Sequence, residues 1–192
     1  MLSMNKTLMS NLESYNYGLL IIDVQGKIIK PIRNNDVIIK NINKLIQAFE
    51  ILQGSIFVSE QNPIKLGKTV SNIITANKLQ LFQKMDFSIG RNKELLEVLS
   101  RKKINNLIIC GFETHICIQQ SVCDFISQDF KTFIIEDAMG SRSSNDHKIA
   151  LKRMISEGAT LASTESIIFE LCRTSSRKEF KQISNVIKNK NT

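Results

Sequence analysis

The sequence predicts a single α/β domain built on a parallel sheet with helices on both faces. Strand-like apolar runs alternate with helix-like segments along the chain, and this order is typical of parallel sheets covered by helices. With 192 residues, of which 42% are hydrophobic, the chain is long enough to bury a core around such a sheet. The two prolines and the absence of low-complexity segments give no sign of a linker between domains.

Six segments are predicted to be strands, the last from a weaker pattern than the others. In chain order they are 18–24 (GLLIIDV), 55–60 (SIFVSE), 79–84 (LQLFQK), 105–111 (NNLIICG), 131–137 (KTFIIED) and 159–163 (ATLAS).

Five segments between these strands are predicted to be helices. They cover 35–52, a short stretch near 69–76, 91–101, 114–127 and 144–157. In the last of them apolar residues fall on one side, and Ser143 with Asp146 forms a capping pair at its start.

Composition limits where the protein is expected to act. The longest apolar runs are far shorter than the roughly 20 residues that span a bilayer, so no membrane association is expected. Residues 1–16 have neither the apolar core of a signal peptide nor an Arg-rich amphipathic pattern, which indicates an N-terminal leader without a targeting role. The four cysteines, at positions 110, 117, 123 and 172, form no CxxC pair, so we expect a reduced, cytoplasmic location without disulfides.

The formal net charge of +8 is concentrated at the C-terminus. Residues 173–192 carry six Lys/Arg against one glutamate, which leaves a net charge of only +3 for the first 172 residues. The same segment has Phe180, Ile183, Val186 and Ile187 at helical spacing. A basic amphipathic helix docked on the domain or on a second subunit is therefore favoured over an RNA-binding arm, because no RNA-module signature accompanies it.

The candidate site lies where the predicted strands end, since ligands of open α/β sheets bind outside the carboxyl ends of the strands. Asp23, Glu60 and Lys84 end the first three strands, and Cys117 opens the helix after the fourth. A helix N-terminus and a nearby ammonium lower the pKa of a thiol from about 8.5, so Lys84 is expected to favour a Cys117 thiolate. Asp23, which follows the apolar run GLLII, is expected to take the thiol proton.

Each of these three residues also has a purely structural interpretation. Asp23 could cap the turn after its strand, Lys84 could be a surface residue, and Cys117 could be a small core residue.

Several motifs resemble the cysteine-hydrolase superfamily of isochorismatases, nicotinamidases and N-carbamoylsarcosine amidase. They are LLIIDVQ, VSEQNP followed by LGKTV, FQKMDFS, ICGFETHICI and IIEDAMGSRSSNDHKIALKRMISEGATLASTESIIFEL. The resemblance extends over about residues 17–171 and is strongest to the isochorismatase-domain-containing branch.

This resemblance implies a Rossmann-like three-layer sandwich with a six-stranded parallel sheet, and we assign this hydrolase domain to residues 17–172. The charge and spacing described above place a basic helix or tail over 173–192. It implies that Asp23, Lys84 and Cys117 are catalytic. It also implies a cis peptide bond at Phe112–Glu113 and an oxyanion hole formed by the backbone N–H groups of Glu113 and Cys117.

Departures from the superfamily narrow the expected chemistry. The metal site of nicotinamidases needs several histidines between the first and third strands, whereas this chain has only His115 and His147, so neither a metal nor another cofactor is expected. Isochorismatases proper cleave a vinyl ether without needing the cysteine, so the presence of Cys117 favours amide-type acyl transfer. Gln25, Glu60, Phe112 and His115 are expected to contact the substrate.

The expected function is hydrolysis of a small amide or related C–N bond through an acyl-enzyme intermediate, in a homo-oligomer whose subunits help to line the pocket. Two alternatives stay open at this point. One is a non-catalytic ligand-binding or regulatory protein, and the other is a nucleic-acid-associated protein that uses the basic tail.

Overall fold

The computed structural model describes residues 17–73 and 79–188. Its sheet has six parallel strands: β1 (Tyr17–Ile22), β2 (Ser55–Gln61), β3 (Leu79–Lys84), β4 (Asn106–Phe112), β5 (Lys131–Gly140) and β6 (Thr160–Ala162). They lie in the order β3-β2-β1-β4-β5-β6. The prediction of a six-stranded parallel sheet in a three-layer sandwich is confirmed.

Eight α-helices lie in the part of the chain that the structure describes. They are α1 (Gly26–Ile29), α2 (Asn35–Ile51), α3 (Pro63–Leu66), α4 (Lys93–Arg101), α5 (Gln119–Ser127), α6 (Ser144–Ser156), α7 (Thr164–Cys172) and α8 (Phe180–Ile187). A 3₁₀ turn (Ile89–Arg91) precedes α4, and a π-helical turn (Thr114–Ile118) leads into α5. The predicted short helix near 69–76 is absent from its described part, because Thr69 pairs with Gln25 in an isolated β-bridge and a turn follows; residues 74–78 lie outside the described residues.

The sheet separates two apolar cores, because successive side chains of a strand point to opposite faces. Leu19 and Ile21 of β1 face the core formed by α2, α7 and α8. Leu20 and Ile22 face the core formed by α4, α5 and α6. The central strands are consequently apolar on both faces, as parallel strands between two helical layers must be.

The basic C-terminal segment contributes to the first of these cores. Helix α8 packs on α2 and α7, with Ile183 fully buried. The expected amphipathic helix is therefore present and docks on the domain that precedes it.

Side-chain hydrogen bonds cap the N-termini of α6 and α4. The Ser143 hydroxyl accepts a hydrogen bond from Asp146 N at 3.2 Å and caps α6 as predicted. Asn92 accepts from Leu95 N at 2.9 Å and caps α4.

The strand order reverses between β1 and β4. β1 leads to β2 on one side, whereas β4 lies on its other side and leads to β5. A crevice forms at such a switch point, outside the carboxyl ends of the two strands. Asp23 directly follows β1 and Cys117 follows β4, so the topology brings both residues to this crevice.

Candidate active site

Asp23 is placed at the edge of the sheet by an unusual backbone conformation. Its φ is +52°, a left-handed region in which aspartate is enriched among non-glycine residues. Its backbone N–H donates to Ser59 O at 3.1 Å, which extends the pairing of β1 with β2 by one residue. The side chain is fully buried; Oδ1 accepts from the Ser59 hydroxyl at 2.7 Å and Oδ2 from Lys84 Nζ at 2.6 Å.

Lys84, the last residue of β3, holds its ammonium against three acceptors. They are Asp23 Oδ2 at 2.6 Å, Gln61 Oε1 at 2.6 Å and Phe87 O at 2.9 Å. An ammonium has three N–H donors, so each of them is matched by one acceptor. Because the Lys84–Asp23 pair is buried, removing either partner would leave an uncompensated charge in the interior.

Gln61 is fixed by a second layer of hydrogen bonds. Its backbone N–H donates to Gln25 Oε1 at 2.8 Å, and its side-chain Nε2 donates to Met85 O at 2.8 Å. Gln25, which is fully buried, also donates from Nε2 to Gln61 O at 3.0 Å and to Gly67 O. These contacts keep the Gln61 amide oxygen directed at Lys84.

Cys117 lies in the π turn that follows β4. The Ser121 hydroxyl donates to Cys117 O at 2.6 Å and secures the turn to the first turn of α5. The thiol is nearly buried and interacts with both the Asp23 carboxylate and the Lys84 ammonium. The structure therefore brings together the three residues that the sequence predicts as a catalytic set.

The pKa of the Cys117 thiol shifts in the direction opposite to the one expected from sequence. Burial, together with the negative charge of Asp23, raises the pKa of Cys117 to about 12, and the opposing effect of Lys84 is smaller. The thiol pKa is not lowered as expected, because desolvation and Asp23 outweigh Lys84. These effects favour the neutral form of the Cys117 thiol at neutral pH.

The segment before Cys117 contains the cis peptide bond at Phe112–Glu113 that the resemblance implies. The Glu113 side chain turns toward Arg142, accepting from its backbone N–H at 3.0 Å and from its Nε at 3.1 Å. Glu113 is the cap residue of the π turn, where backbone N–H groups lack helical acceptors.

A cavity of about 260 Å³ opens beside Cys117. Its lining residues are Lys27, Ile28, Pro31, Gln61, Leu66, Phe87, Glu113, Ile116, Cys117 and Arg142. A cavity of this size suits a small molecule rather than a polymer segment.

None of the four residues predicted to contact the substrate lines this cavity. Gln25 is occupied with Gln61 and Gly67. Glu60 turns to the other side of β2, where Oε1 accepts from Thr69 N at 2.6 Å and Thr69 Oγ1 at 2.9 Å. Phe112 is fully buried in the α2 core, and His115 Nδ1 lies 2.9 Å from the Ser141 hydroxyl.

The sequence interpretation missed Ser59 and Gln61, which contact the cluster directly, and Lys27 and Arg142 at the mouth of the cavity. A signal for the first two was available. Side chains two residues apart in a strand share a face, so Ser59 and Gln61 necessarily lie on the face opposite to that of Glu60 between them.

The two histidines lie outside the cluster. His147 Nδ1 is 2.9 Å from the Thr114 hydroxyl, and burial lowers the pKa of His147. Among the described residues, no group of three or more His, Cys, Asp and Glu side chains is placed to hold a metal ion. Within the same residues, no helix is both long and apolar enough to cross a bilayer.

The fold and the polar cluster at the carboxyl ends of its strands define a three-layer α/β protein of the isochorismatase-like hydrolase class. The chain belongs to the isochorismatase family, since the isochorismatase domain model matches residues 17–166. Membership of this family supports a hydrolase function.

Individual relatives cover most of the chain. Isochorismatase family protein 1B of Dictyostelium discoideum is 32% identical over 176 residues, which cover 89% of this chain and 85% of that protein. The structure of a Caenorhabditis elegans protein described as MAR1 ribonuclease is 31% identical, with a TM-score of 0.85 and 91% of each chain covered. Escherichia coli YcaC, described as an octameric hydrolase of unknown specificity, shares the fold at 17% identity, with a TM-score of 0.81 and coverage of 92% of this chain and 94% of YcaC.

Proposed function

We propose that the protein hydrolyses a small amide or related C–N bond through a covalent thioester on Cys117. The observation that carries this proposal is the contact of the Cys117 thiol with the buried Asp23–Lys84 pair beside a small cavity. A nucleophile next to a base that a third group orients is the arrangement typical of covalent acyl transfer, and Lys84 would be that third group.

In the first half-reaction Cys117 Sγ attacks the amide carbonyl carbon while its proton passes to Asp23. The negative charge that develops on the carbonyl oxygen is stabilised by the backbone N–H groups of Glu113 and Cys117. Asp23 then gives the proton to the amide nitrogen, the C–N bond breaks, and ammonia or an amine leaves. In the second half-reaction water attacks the thioester, Asp23 takes a proton from that water, and Cys117 leaves as a thiolate that regains the proton as the acid is released.

The neutral resting thiol assigns a specific task to Asp23. Because burial and the charge of Asp23 raise the pKa of Cys117, we expect proton transfer to Asp23 to accompany the attack on the carbonyl. Lys84 keeps the carboxylate in place and opposes the build-up of negative charge in the cluster.

The direct test is a screen of small amides and carbamoyl compounds that measures released ammonia. Cys117→Ala should reduce kcat by at least about a thousandfold, the scale of losing a covalent nucleophile. Cys123→Ala, on α5 and outside the cluster, is the matched control and should retain activity. A Cys117→Ala protein that turns over any identified substrate at the parent rate would contradict the mechanism.

Ribonuclease activity is a second candidate, and the description of the 31% identical C. elegans structure is what favours it. It is tested with labelled single-stranded RNA and the same protein preparations. RNA cleavage that persists at constant specific activity through purification and is lost in Cys117→Ala would replace the amide proposal. Cleavage that is equal in parent and variant would trace to a contaminant.

The same proposal includes a homo-oligomer, because the fold relative YcaC is described as octameric. Light scattering coupled to size-exclusion chromatography should give a mass that is a multiple of 21.8 kDa. A monomer at micromolar concentration would exclude this part of the proposal.

Turnover is also expected to survive dialysis against a chelator. Loss of activity that added zinc or iron restores would show that a metal is needed.

A further inference from the structure

The charges at the mouth of the Cys117 cavity do not balance. Its charged lining residues are Lys27, Arg142 and Glu113. Asp23 and Lys84 do not line the cavity, and they form a buried ion pair with each other. The mouth therefore carries two cations but only one carboxylate.

That carboxylate is engaged entirely with Arg142. Glu113 accepts from the Arg142 backbone N–H and from Nε, and its side chain is only 11% exposed whereas that of Arg142 is 57% exposed. The guanidinium thus keeps its outer N–H groups toward solvent while its charge is offset by Glu113.

Lys27 has no carboxylate within ion-pair distance in the part of the chain that the structure describes. Its Nζ donates to Lys65 O at 2.6 Å. A neutral carbonyl positions the ammonium without cancelling its charge, and two of the three donors stay available. The uncompensated positive charge at the mouth is therefore that of Lys27.

The wall between the mouth and the thiol is apolar. It is formed by Ile28, Pro31, Leu66, Phe87 and Ile116. A ligand that fits this arrangement has a carbonyl group at Cys117, a short apolar middle and an anionic group at the mouth.

We propose that Lys27, assisted by Arg142, forms an anion-binding subsite that selects small amides carrying a carboxylate. This inference rests on the proposed amide hydrolysis for its reaction but on the mouth charges for its specificity. Because Lys27 is exposed, the selection should weaken as ionic strength rises.

The test compares succinamate with pentanamide, a neutral amide of similar length. We expect kcat/KM to favour succinamate by at least about tenfold, with the difference mainly in KM. Lys27→Met should lower this preference about tenfold, Lys27→Glu should reverse it, and Lys27→Arg should restore most of it. Lys30→Met is the matched control, because Lys30 is a neighbouring exposed lysine that does not line the cavity.

A binding measurement separates failure of this inference from failure of the proposed reaction. In the Cys117→Ala background, calorimetry should show succinamate bound at least fivefold more weakly after Lys27→Met. That result supports the subsite even if no amide is hydrolysed by the parent protein. An unchanged substrate preference in Lys27→Met and Lys27→Glu, or succinamate binding that is absent or indifferent to Lys27, would overturn the inference whether or not amides are hydrolysed.

Discussion

Three effects set the pKa of the Cys117 thiol, and variants of Asp23 and Lys84 should shift that pKa in opposite directions. Desolvation is the largest, Asp23 adds to it, and Lys84 opposes both. Asp23→Asn should therefore lower the pKa of Cys117 and speed its alkylation at a fixed pH, although it removes the proton acceptor and abolishes turnover. Lys84→Met should raise the thiol pKa further and slow alkylation.

The measurement is the rate of iodoacetamide labelling from pH 7 to 10, with peptide mapping to separate Cys117 from Cys123. Cys123 is half-buried and more accessible, so it serves as an internal reference and should label first in the parent at neutral pH. Thermal unfolding of each variant checks that loss of the buried ion pair has not opened the site. Slower labelling of Cys117 in Asp23→Asn than in the parent would show that the assigned influences are wrong.

Gln61 is expected to act as a positioning residue through Lys84. Gln61→Leu leaves one Lys84 N–H without its buried acceptor, at a cost of about 1–3 kcal/mol, and frees the ammonium to turn toward the thiol. Turnover should fall by about tenfold to a hundredfold while the pH at which Cys117 labels half-maximally moves down. Gln61→Glu adds a second carboxylate beside Lys84 and should move that pH up.

A merely structural role for Gln61 would lower stability without moving the labelling profile. Gln83→Leu is a suitable comparison, because Gln83 is an exposed neighbour of Lys84 on β3. If both Gln61 variants shift the profile in the same direction as each other, the positioning role is excluded.

At the scale of single residues, sequence reasoning was reliable where topology alone places a side chain. Asp23 and Lys84 follow from strand ends, and Cys117 follows from the helix after β4. It was less reliable where the contacts of a side chain depend on which face of the strand it occupies, or where its pKa depends on how deeply it is buried. Glu60 lies between Ser59 and Gln61, the two β2 residues that contact the cluster, and therefore points to the opposite face. The pKa of the Cys117 thiol depends on its burial, which cannot be predicted from the neighbouring sequence.

The pairing of β4 with β1 depends on Gly111, which lies opposite Ile22. Its φ is +117°, and a Cβ there would lie within contact distance of three backbone atoms of Ile22, including Ile22 N at 2.7 Å. The register of β4 against β5 also shifts between Ile109 and Gly111. Only a residue without a side chain at this position lets β4 pair closely with β1, and this pairing places Cys117 beside Asp23 and Lys84.

Gly158 supplies a matched control for this argument. Its φ of +111° is similar, but a Cβ there would meet nothing within 4 Å. Gly158→Ala should lower the free energy of unfolding by about 1 kcal/mol through backbone strain alone. Gly111→Ala should cost more than about 4 kcal/mol, because the clash is with backbone that cannot step aside. Urea denaturation of both variants measures the difference, and equal losses would show that crowding at Gly111 does not matter.

Long elements of the fold could be predicted because they carry a full hydrophobic pattern, and all six strands and four of the five helices appear within a few residues of their expected positions. Short elements could not. The four-residue helices α1 and α3 are shorter than the window over which helical periodicity can be recognised. The π turn at Thr114–Ile118 leaves no distinctive pattern, because its residues read as an ordinary helix start.

Across the whole molecule, Cys117 and the basic C-terminal segment pack on opposite faces of the sheet. Cys117 belongs to the core of α4, α5 and α6, whereas Ile183 of α8 belongs to the core of α2 and α7. The excess positive charge and the candidate nucleophile therefore lie in separate parts of the same domain. Composition alone gave the charge imbalance, but only the packing of α8 shows that its segment also supports a core.

Deletion of residues 174–192 should consequently destabilise the protein while leaving the site chemistry intact. The segment contains five basic residues and one glutamate, so the net charge falls from +8 to +4.

Loss of α8 uncovers the apolar faces of α2 and α7. Ile183→Ala, a milder change at the same place, should cost about 2–5 kcal/mol. Lys181→Ala, on the exposed side of α8, should change stability by less than about 0.5 kcal/mol. Urea denaturation gives the stabilities, and kcat on an identified amide should be unchanged in Ile183→Ala at temperatures where it is folded. If the full chain binds RNA at physiological salt, and this binding is lost in the deletion but kept in Ile183→Ala, the basic segment instead has a role in nucleic-acid binding.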